Sequence, residues 1–204
     1  KSALMAQVTK RVGQRPGLLV YRFIGATPAS TLIDSVLHSI SEELARALQD
    51  AESIPTQREE LVKYLAGLLG RATPEQPITI VVDALDQLTE VDARQLDWLP
   101  EELPANAKFI VSALPELEAA LDKTQQIGVP LLSDEAGEVI LKAWLSDVGR
   151  TLQPEQRTAV MEGFAANGLP LYLKLAFEQA RHWGSTESPS GLHADIDGMI
   201  GVVL

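Results

Sequence analysis

The chain has 204 residues, of which 46% are hydrophobic, so it can form one sizeable core or a core with a small second domain. Its net charge of -11 argues against general nucleic-acid binding, although a local loop with one lysine can still bind a small phosphorylated ligand. The lack of cysteine excludes disulfides and thiolate sites and suits a reducing cytoplasm, and no apolar run reaches the roughly 20 residues that span a membrane.

The first part of the chain alternates helix-like and strand-like segments. Apolar spacing, β-branched runs and turn residues predict these elements in chain order: a helix over 2–11, a strand at 18–24, a helix over 32–48, a helix opening at the capping box Thr56–Glu59 and stopping at Gly70, a strand at 78–82, a strand at 108–112, a helix over 116–122 and a weaker strand at 128–132. The run at 78–82 is β-branched throughout, which is typical of a strand buried on both faces of a parallel sheet.

After Ser133 the strand signals disappear and three or four amphipathic helices follow one another. This succession predicts an α/β core over 1–132, a helical lid subdomain over 133–184, and a linker with the start of a following helical or winged-helix region over 185–204. The predicted fold is therefore a parallel sheet with flanking helices, followed by an all-helical appendage.

The clearest chemical signal is the pair of acids that follows the strand at 78–82. Asp83 ends this strand, and a second acid, Asp86, follows three residues later and is itself followed by Gln87. Acids at the carboxyl ends of parallel strands lie where open α/β sheets bind ligands. In P-loop enzymes such a first acid holds Mg²⁺, and a nearby acid or amide orients the attacking water. By itself the pattern is equally compatible with an ordinary loop that carries solvated carboxylates.

Lys1 and Ser2 give this pattern more weight. They match the last two positions of G-x-x-x-x-G-K-[ST], in which the lysine reaches the phosphates and the hydroxyl ligates Mg²⁺. A predicted helix follows at once, and the amides at a helix N-terminus attract anions. The dipeptide alone is weak evidence, but its position before the strands is informative. We expect the chain to begin at the lysine of its own phosphate loop, without the glycine-rich part and the strand that precede it.

The order of four further segments resembles the NACHT-like subgroup of STAND P-loop NTPases, of the type often fused to WD40 or TPR repeats. The segments are Arg22 to Ser30, Asp83 to Asp86, Ser112, and Gly168 to Leu171. The resemblance implies a Walker B role for Asp83, a sensor role for Ser112 at the terminal phosphate, and contact of Pro170 with the nucleotide base.

With these roles, the expected site residues are Lys1, Ser2, Ser112 and Pro170 for the nucleotide, Ser2 and Asp83 for the metal, and Asp86 with Gln87 for hydrolysis. Many NACHT domains have glutamate where this chain has Gln87. Because an amide positions water but is not a base, we expect slow hydrolysis. The family topology also implies that the absent strand lies between the strands ending at Asp83 and Ser112, which predicts a gap with two unpaired inner edges.

The resemblance implies an ATP-dependent (or other NTP-dependent) and Mg²⁺-dependent switch, with the nucleotide held between core and appendage and a hinge near Ser133. Its expected partners are nucleotide, other proteins reached through further domains, and further copies of itself in a nucleotide-dependent oligomer, with no direct nucleic-acid or membrane contact. A non-catalytic interaction scaffold that keeps the NTPase fold is the alternative. A helical partner-binding module is a third hypothesis, which requires the strand predictions to fail.

Overall fold

The computed structural model describes residues 1–100, 102–121 and 125–203. It divides into two compact units, Lys1–Ile127 and Gly128–Leu204. No helix among these described residues is long and apolar enough to cross a membrane.

The first unit combines three strands with flanking helices. In chain order its elements are α1 (Ser2–Val12), β1 (Leu18–Phe23), α2 (Ile33–Leu48), α3 (Arg58–Leu69), β2 (Ile78–Asp83), α4 (Glu90–Gln95) and β3 (Ala107–Val111), with short 3-10 helices at Pro28–Thr31, Leu85–Gln87 and Pro115–Leu121. The strand predictions at 18–24, 78–82 and 108–112 are thereby confirmed. The predicted helix over 116–122 is a 3-10 helix, and position 122 lies outside the described residues.

The three strands form one parallel sheet in the order β1-β2-β3. Leu18 lies opposite Ile78, and Ile78 lies opposite Ala107. The β-branched strand β2 is central and its Ile78, Ile80, Val81 and Val82 are all buried, as expected for a strand covered on both faces. The expectation of a gap beside the Asp83 strand is wrong. The strand that ends at Asp83, β2, pairs directly with β3 and on its other side with β1. The backbone of β2 therefore has hydrogen-bond partners on both sides, and no inner edge is left unpaired there.

Helices pack this sheet through apolar stripes. The buried stripe of α2 packs against β1 and α3 and consists of Ile33, Val36, Leu37, Ile40 and Leu44. The predicted capping box at Thr56–Glu59 is wrong, because α3 begins at Arg58 with Gln57 as its N-cap and no side chain caps it. Arg58 instead fixes this helix start through ion pairs with Asp34 at 2.5 Å and Asp92 at 2.7 Å.

The second unit is a helical bundle. It contains α5 (Asp134–Asp147), α6 (Pro154–Asn167), α7 (Pro170–Ala180) and α8 (Ile196–Val203) around a core that includes Leu141, Phe164, Tyr172 and Phe177. The weak strand prediction at 128–132 is wrong. Val129 and Leu131 are exposed, and the Leu132 amide donates to the Gly168 carbonyl at 2.9 Å rather than to a strand.

Residues 185–195 lie against α6 and α7 and are attached by specific hydrogen bonds. The indole of Trp183 donates to the Ser190 carbonyl at 3.1 Å. The Tyr172 hydroxyl donates to the His193 carbonyl at 2.8 Å, and the Gln156 amide donates to the Glu187 carbonyl at 2.9 Å. The helix α8 that follows packs against α7. This part of the chain thus belongs to the second compact unit.

Candidate functional site

The carboxyl end of β2 and the residue after β3 form a hydrogen-bonded corner. Ser112 donates its hydroxyl proton to Oδ1 of Asp83 and accepts the Ala84 amide at 2.9 Å. Its carbonyl oxygen accepts the Leu85 amide, also at 2.9 Å. These bonds hold a sharp turn in which Ala84 has a φ of 64°, in the left-handed region that is unfavourable for a residue with a Cβ atom. One serine therefore fixes the direction in which the chain leaves β2.

Asp83 has the properties of a carboxylate that a cation would stabilise. Its residue is 2% exposed, and a neutral hydroxyl is its side-chain partner. No described residue donates a hydrogen bond to its second oxygen, Oδ2. A buried carboxylate is costly unless it is paired, so this donor set fits a metal ion bound with the help of other oxygen ligands. Among the described residues no group of three or more His, Asp or Glu side chains could hold a metal. One carboxylate completed by phosphates and water is a usual ligand set for Mg²⁺.

A second polar group lies beside the first and joins the start of α1 to the turn after β2. The ammonium group of Lys1 forms an ion pair with Oδ1 of Asp86, and the Gln87 amide donates to Oδ2 at 3.0 Å. Burial alone raises the pKa of Asp86, but the hydrogen bonds from Gln87 and Lys1 lower it by more, so the pKa lies below its ordinary value. Asp86 is therefore charged at neutral pH, with both oxygens occupied by protein donors.

The remaining predicted site residues, Ser2 and Pro170, form none of the hydrogen bonds and ion pairs described above. Ser2 is exposed as the first residue of α1. Pro170 belongs to the second unit, where it is the exposed first residue of α7 and follows Leu169, the N-cap. Gly168 ends α6 with a φ of 62°, and a Cβ atom there would lie 2.9 Å from Cβ of Leu131. The Gly-Leu-Pro-Leu segment thus joins two helices in this structure.

Sequence reasoning missed one residue that shapes the corner. Gly25 follows β1 with a φ of 82°, and a Cβ atom there would lie 3.4 Å from Cβ of Gln87. The neighbouring Ile24 amide donates to the Asp83 carbonyl at 3.1 Å, which brings the end of β1 against the same turn. A glycine directly after a predicted strand was the available signal, but its neighbour across the sheet could not be read from the local sequence.

Two surface grooves lie elsewhere. One of about 560 Å³ lies in the second unit and is lined by residues that include Glu138, Arg157 and Met161. The other, of about 360 Å³, lies beside α2 and is lined by residues that include Asp34 and His38. Neither groove includes a residue of the corner at Asp83, so neither supports the nucleotide assignment.

Comparison with known proteins identifies relatives for nearly the whole chain. It is 30% identical over 222 residues to NACHT and WD repeat domain-containing protein 2 of Mus musculus and 29% identical to the Homo sapiens protein of the same name, with 97% of this chain covered in each alignment. It is also 27% identical over 207 residues to the Homo sapiens NACHT domain- and WD repeat-containing protein 1. The chain spans only 12–13% of the length of these relatives. No protein-family model matches it.

Proposed function

Because this chain is a NACHT-like relative of the NACHT and WD repeat proteins over nearly its whole length, we propose that it is part of a nucleotide-binding regulatory switch domain. The observation that carries the proposal is the corner at the end of β2. Lys1 and Asp86 form one polar pair there, and Asp83 and Ser112 form another. The corner lies at the carboxyl ends of parallel strands, which is where open α/β sheets bind ligands.

In this proposal each side chain has one task. Lys1 binds phosphate oxygens as a positive point charge, and Asp83 with Ser2 holds Mg²⁺. When bound, Mg²⁺ neutralises charge on the phosphate oxygens. Asp86 and Gln87 orient water, and Asp86, which is charged at neutral pH, is the stronger acceptor for a proton of that water. ATP is the proposed nucleotide.

The contacts of Asp86 favour binding with slow turnover. Both of its oxygens accept hydrogen bonds from Lys1 and Gln87, so phosphate has to compete with Asp86 for the lysine. Gln87 donates to its neighbour and has no carboxylate of its own to act as a base. The same contacts favour the second candidate function, an interaction scaffold that keeps the fold and does not hydrolyse nucleotide.

Equilibrium binding of a fluorescent ATP analogue to the full-length protein tests the proposal. We expect Lys1→Ala to weaken binding at least about tenfold, which corresponds to about 1.4 kcal/mol. Lys10→Ala removes an exposed lysine from α1, the helix that begins directly after Lys1, and serves as the matched control, for which we expect no change. Equal affinities for the Lys1→Ala and Lys10→Ala proteins would remove Lys1 from the site. Binding without hydrolysis would favour the scaffold.

The proposed output of the switch is a change in assembly. The relatives carry WD repeats by name, and we propose that protein partners of the parent protein bind through such further domains. Nucleotide exchange would then alter the exposure of a surface used for self-association. Light scattering of the full-length protein with ATP or ADP measures this directly. An oligomeric state that is the same with both nucleotides would contradict the assembly proposal and leave nucleotide binding intact.

A further inference from the structure

Ser112 has no hydroxyl proton left for a ligand. A serine hydroxyl offers one proton and two acceptor sites. The proton is donated to Oδ1 of Asp83, and one acceptor site is taken by the Ala84 amide at 2.9 Å. Its backbone is equally occupied, since its amide donates to the Val82 carbonyl at 3.0 Å and its carbonyl accepts the Leu85 amide. The residue is 9% exposed.

This bonding differs from what a phosphate sensor requires. A sensor serine donates its proton to the terminal phosphate, whose oxygens are acceptors. Here the donor is directed at a buried carboxylate, and a hydrogen bond to a charged acceptor is roughly twice as strong as one between neutral groups. If Ser112 donated its proton to phosphate, neither oxygen of Asp83 would accept a hydrogen bond from a described residue.

We propose that Ser112 is a positioning residue for Asp83 rather than a contact for the terminal phosphate. This inference rests on the proposed function, because it takes Asp83 to be the metal ligand. By holding Oδ1, Ser112 fixes the carboxylate so that Oδ2 stays available to Mg²⁺. Its backbone carbonyl, which Ser112→Ala retains, accepts the Leu85 amide and so still ties the turn after β2 to the end of β3.

The two roles predict different losses of affinity. A phosphate sensor contributes to binding of ATP and not of ADP, whether or not metal is present. A residue that acts through a metal ligand contributes to both nucleotides, because Mg²⁺ contacts phosphates in each, and it contributes only when Mg²⁺ is present. The ratio of ATP to ADP affinity and the dependence on Mg²⁺ therefore separate the two roles.

The experiment measures binding of fluorescent ATP and ADP analogues to the full-length protein, in Mg²⁺ and in EDTA. We expect Ser112→Ala to weaken both nucleotides by a similar factor of about tenfold in Mg²⁺ and to leave both unchanged in EDTA. Ser35→Ala makes the same chemical change at an exposed position of α2 and should alter nothing. A loss confined to ATP, or a loss that persists in EDTA, would overturn the positioning role.

A double-mutant cycle with Asp83→Asn adds a test that does not depend on the size of the single effect. If Ser112 acts through Asp83, then Ser112→Ala should have no further effect on nucleotide affinity once Asp83 is asparagine. A loss of the same size in both backgrounds would overturn the inference while Mg²⁺-dependent binding of the wild type stands. If instead the wild type binds no nucleotide in Mg²⁺, the proposed function is overturned and this inference with it.

Discussion

Alanine at Gly163 tests how closely α6 and α7 pack in the second unit. A Cβ atom at Gly163 would lie 2.2 Å from the hydroxyl oxygen of Tyr172, well inside van der Waals contact. Tyr172 is 1% exposed and donates to the His193 carbonyl at 2.8 Å, so its ring has little space to move. By contrast, a Cβ atom at Gly67 in α3 would meet nothing within 4 Å. Gly67→Ala is therefore the matched control, since both glycines lie within helices.

The contacts set opposite signs for the two substitutions. At Gly163 overpacking costs about 1–3 kcal/mol, and losing the tyrosine hydrogen bond costs about 0.5–1.5 kcal/mol more. The better helix propensity of alanine returns about 1 kcal/mol, so we expect a net loss of about 0.5–3.5 kcal/mol. At Gly67 only the propensity term acts, and we expect a gain of about 0.5–1 kcal/mol.

Urea denaturation with separate probes for the two units measures these changes. The tryptophans Trp144 and Trp183 report on the second unit, and Trp98 reports on the first. Gly163→Ala should lower the midpoint of the second unit, and adding Tyr172→Phe should restore part of the loss because it removes the clashing oxygen. A Gly163→Ala protein as stable as the wild type would refute the packing argument.

Three further predictions concern the first unit. The pKa of Asp86 is lowered from 3.8 in the folded protein, so its ion pair stabilises the fold at pH values above 3.8. The difference in free energy of unfolding between wild type and Asp86→Asn, measured at a series of pH values, should vanish as the pH falls through the folded-state pKa. Ala84→Gly should be tolerated, because glycine avoids the roughly 1–2 kcal/mol that a Cβ atom costs at this left-handed φ. Ala84→Val should lower the free energy of unfolding, as measured by thermal denaturation, because a β-branched residue fits this φ still less well than alanine. Arg58→Ala should lose roughly 2 kcal/mol in urea, because it leaves the largely buried Asp92 without its cation. The control is Arg46→Ala, which removes an exposed ion pair with Glu42 within α2 and should lower the free energy of unfolding by less than about 0.5 kcal/mol.

Local patterns predicted the elements well where one interaction dominates. The β-branched run at 78–82 correctly predicted the buried strand β2, and the apolar spacing over 32–48 correctly predicted the amphipathic helix α2. Both predictions succeeded because the burial of side chains on a sheet or on a helix face repeats with a fixed period. The helix start at Arg58 was predicted wrongly, because ion pairs to Asp34 and Asp92, which are distant in sequence, replace the expected cap.

Features that depend on distant partners could not be predicted. The direct pairing of β2 with β3 was missed because strand neighbours are not determined by local sequence. The segment at 128–132 has a strand-like composition, but a strand also needs a free partner edge, and Leu132 bonds to Gly168 instead. Its residues Val129 and Leu131 remain exposed.

At the candidate site the sequence indicated that two acids follow the central strand but not how they are bonded. Asp83 and Asp86 were expected at the sheet edge because acids follow a buried strand. The pairing of Lys1 with Asp86, and the direction of the Ser112 proton, are contacts between residues far apart in the chain. Both contacts matter for the proposal, since each engages a carboxylate with a residue that was expected to bind phosphate, Lys1 in one case and Ser112 in the other.

The Mg²⁺ dependence of ATP binding tests the central claim most directly. Calorimetric titration of the full-length protein with ATP, in Mg²⁺ and in EDTA, should show at least about tenfold tighter binding with the metal. In Asp83→Asn the two affinities should become equal, because the proposed metal ligand is lost while Lys1 remains. Wild-type protein that binds ATP equally with and without Mg²⁺, or does not bind it, would contradict the account.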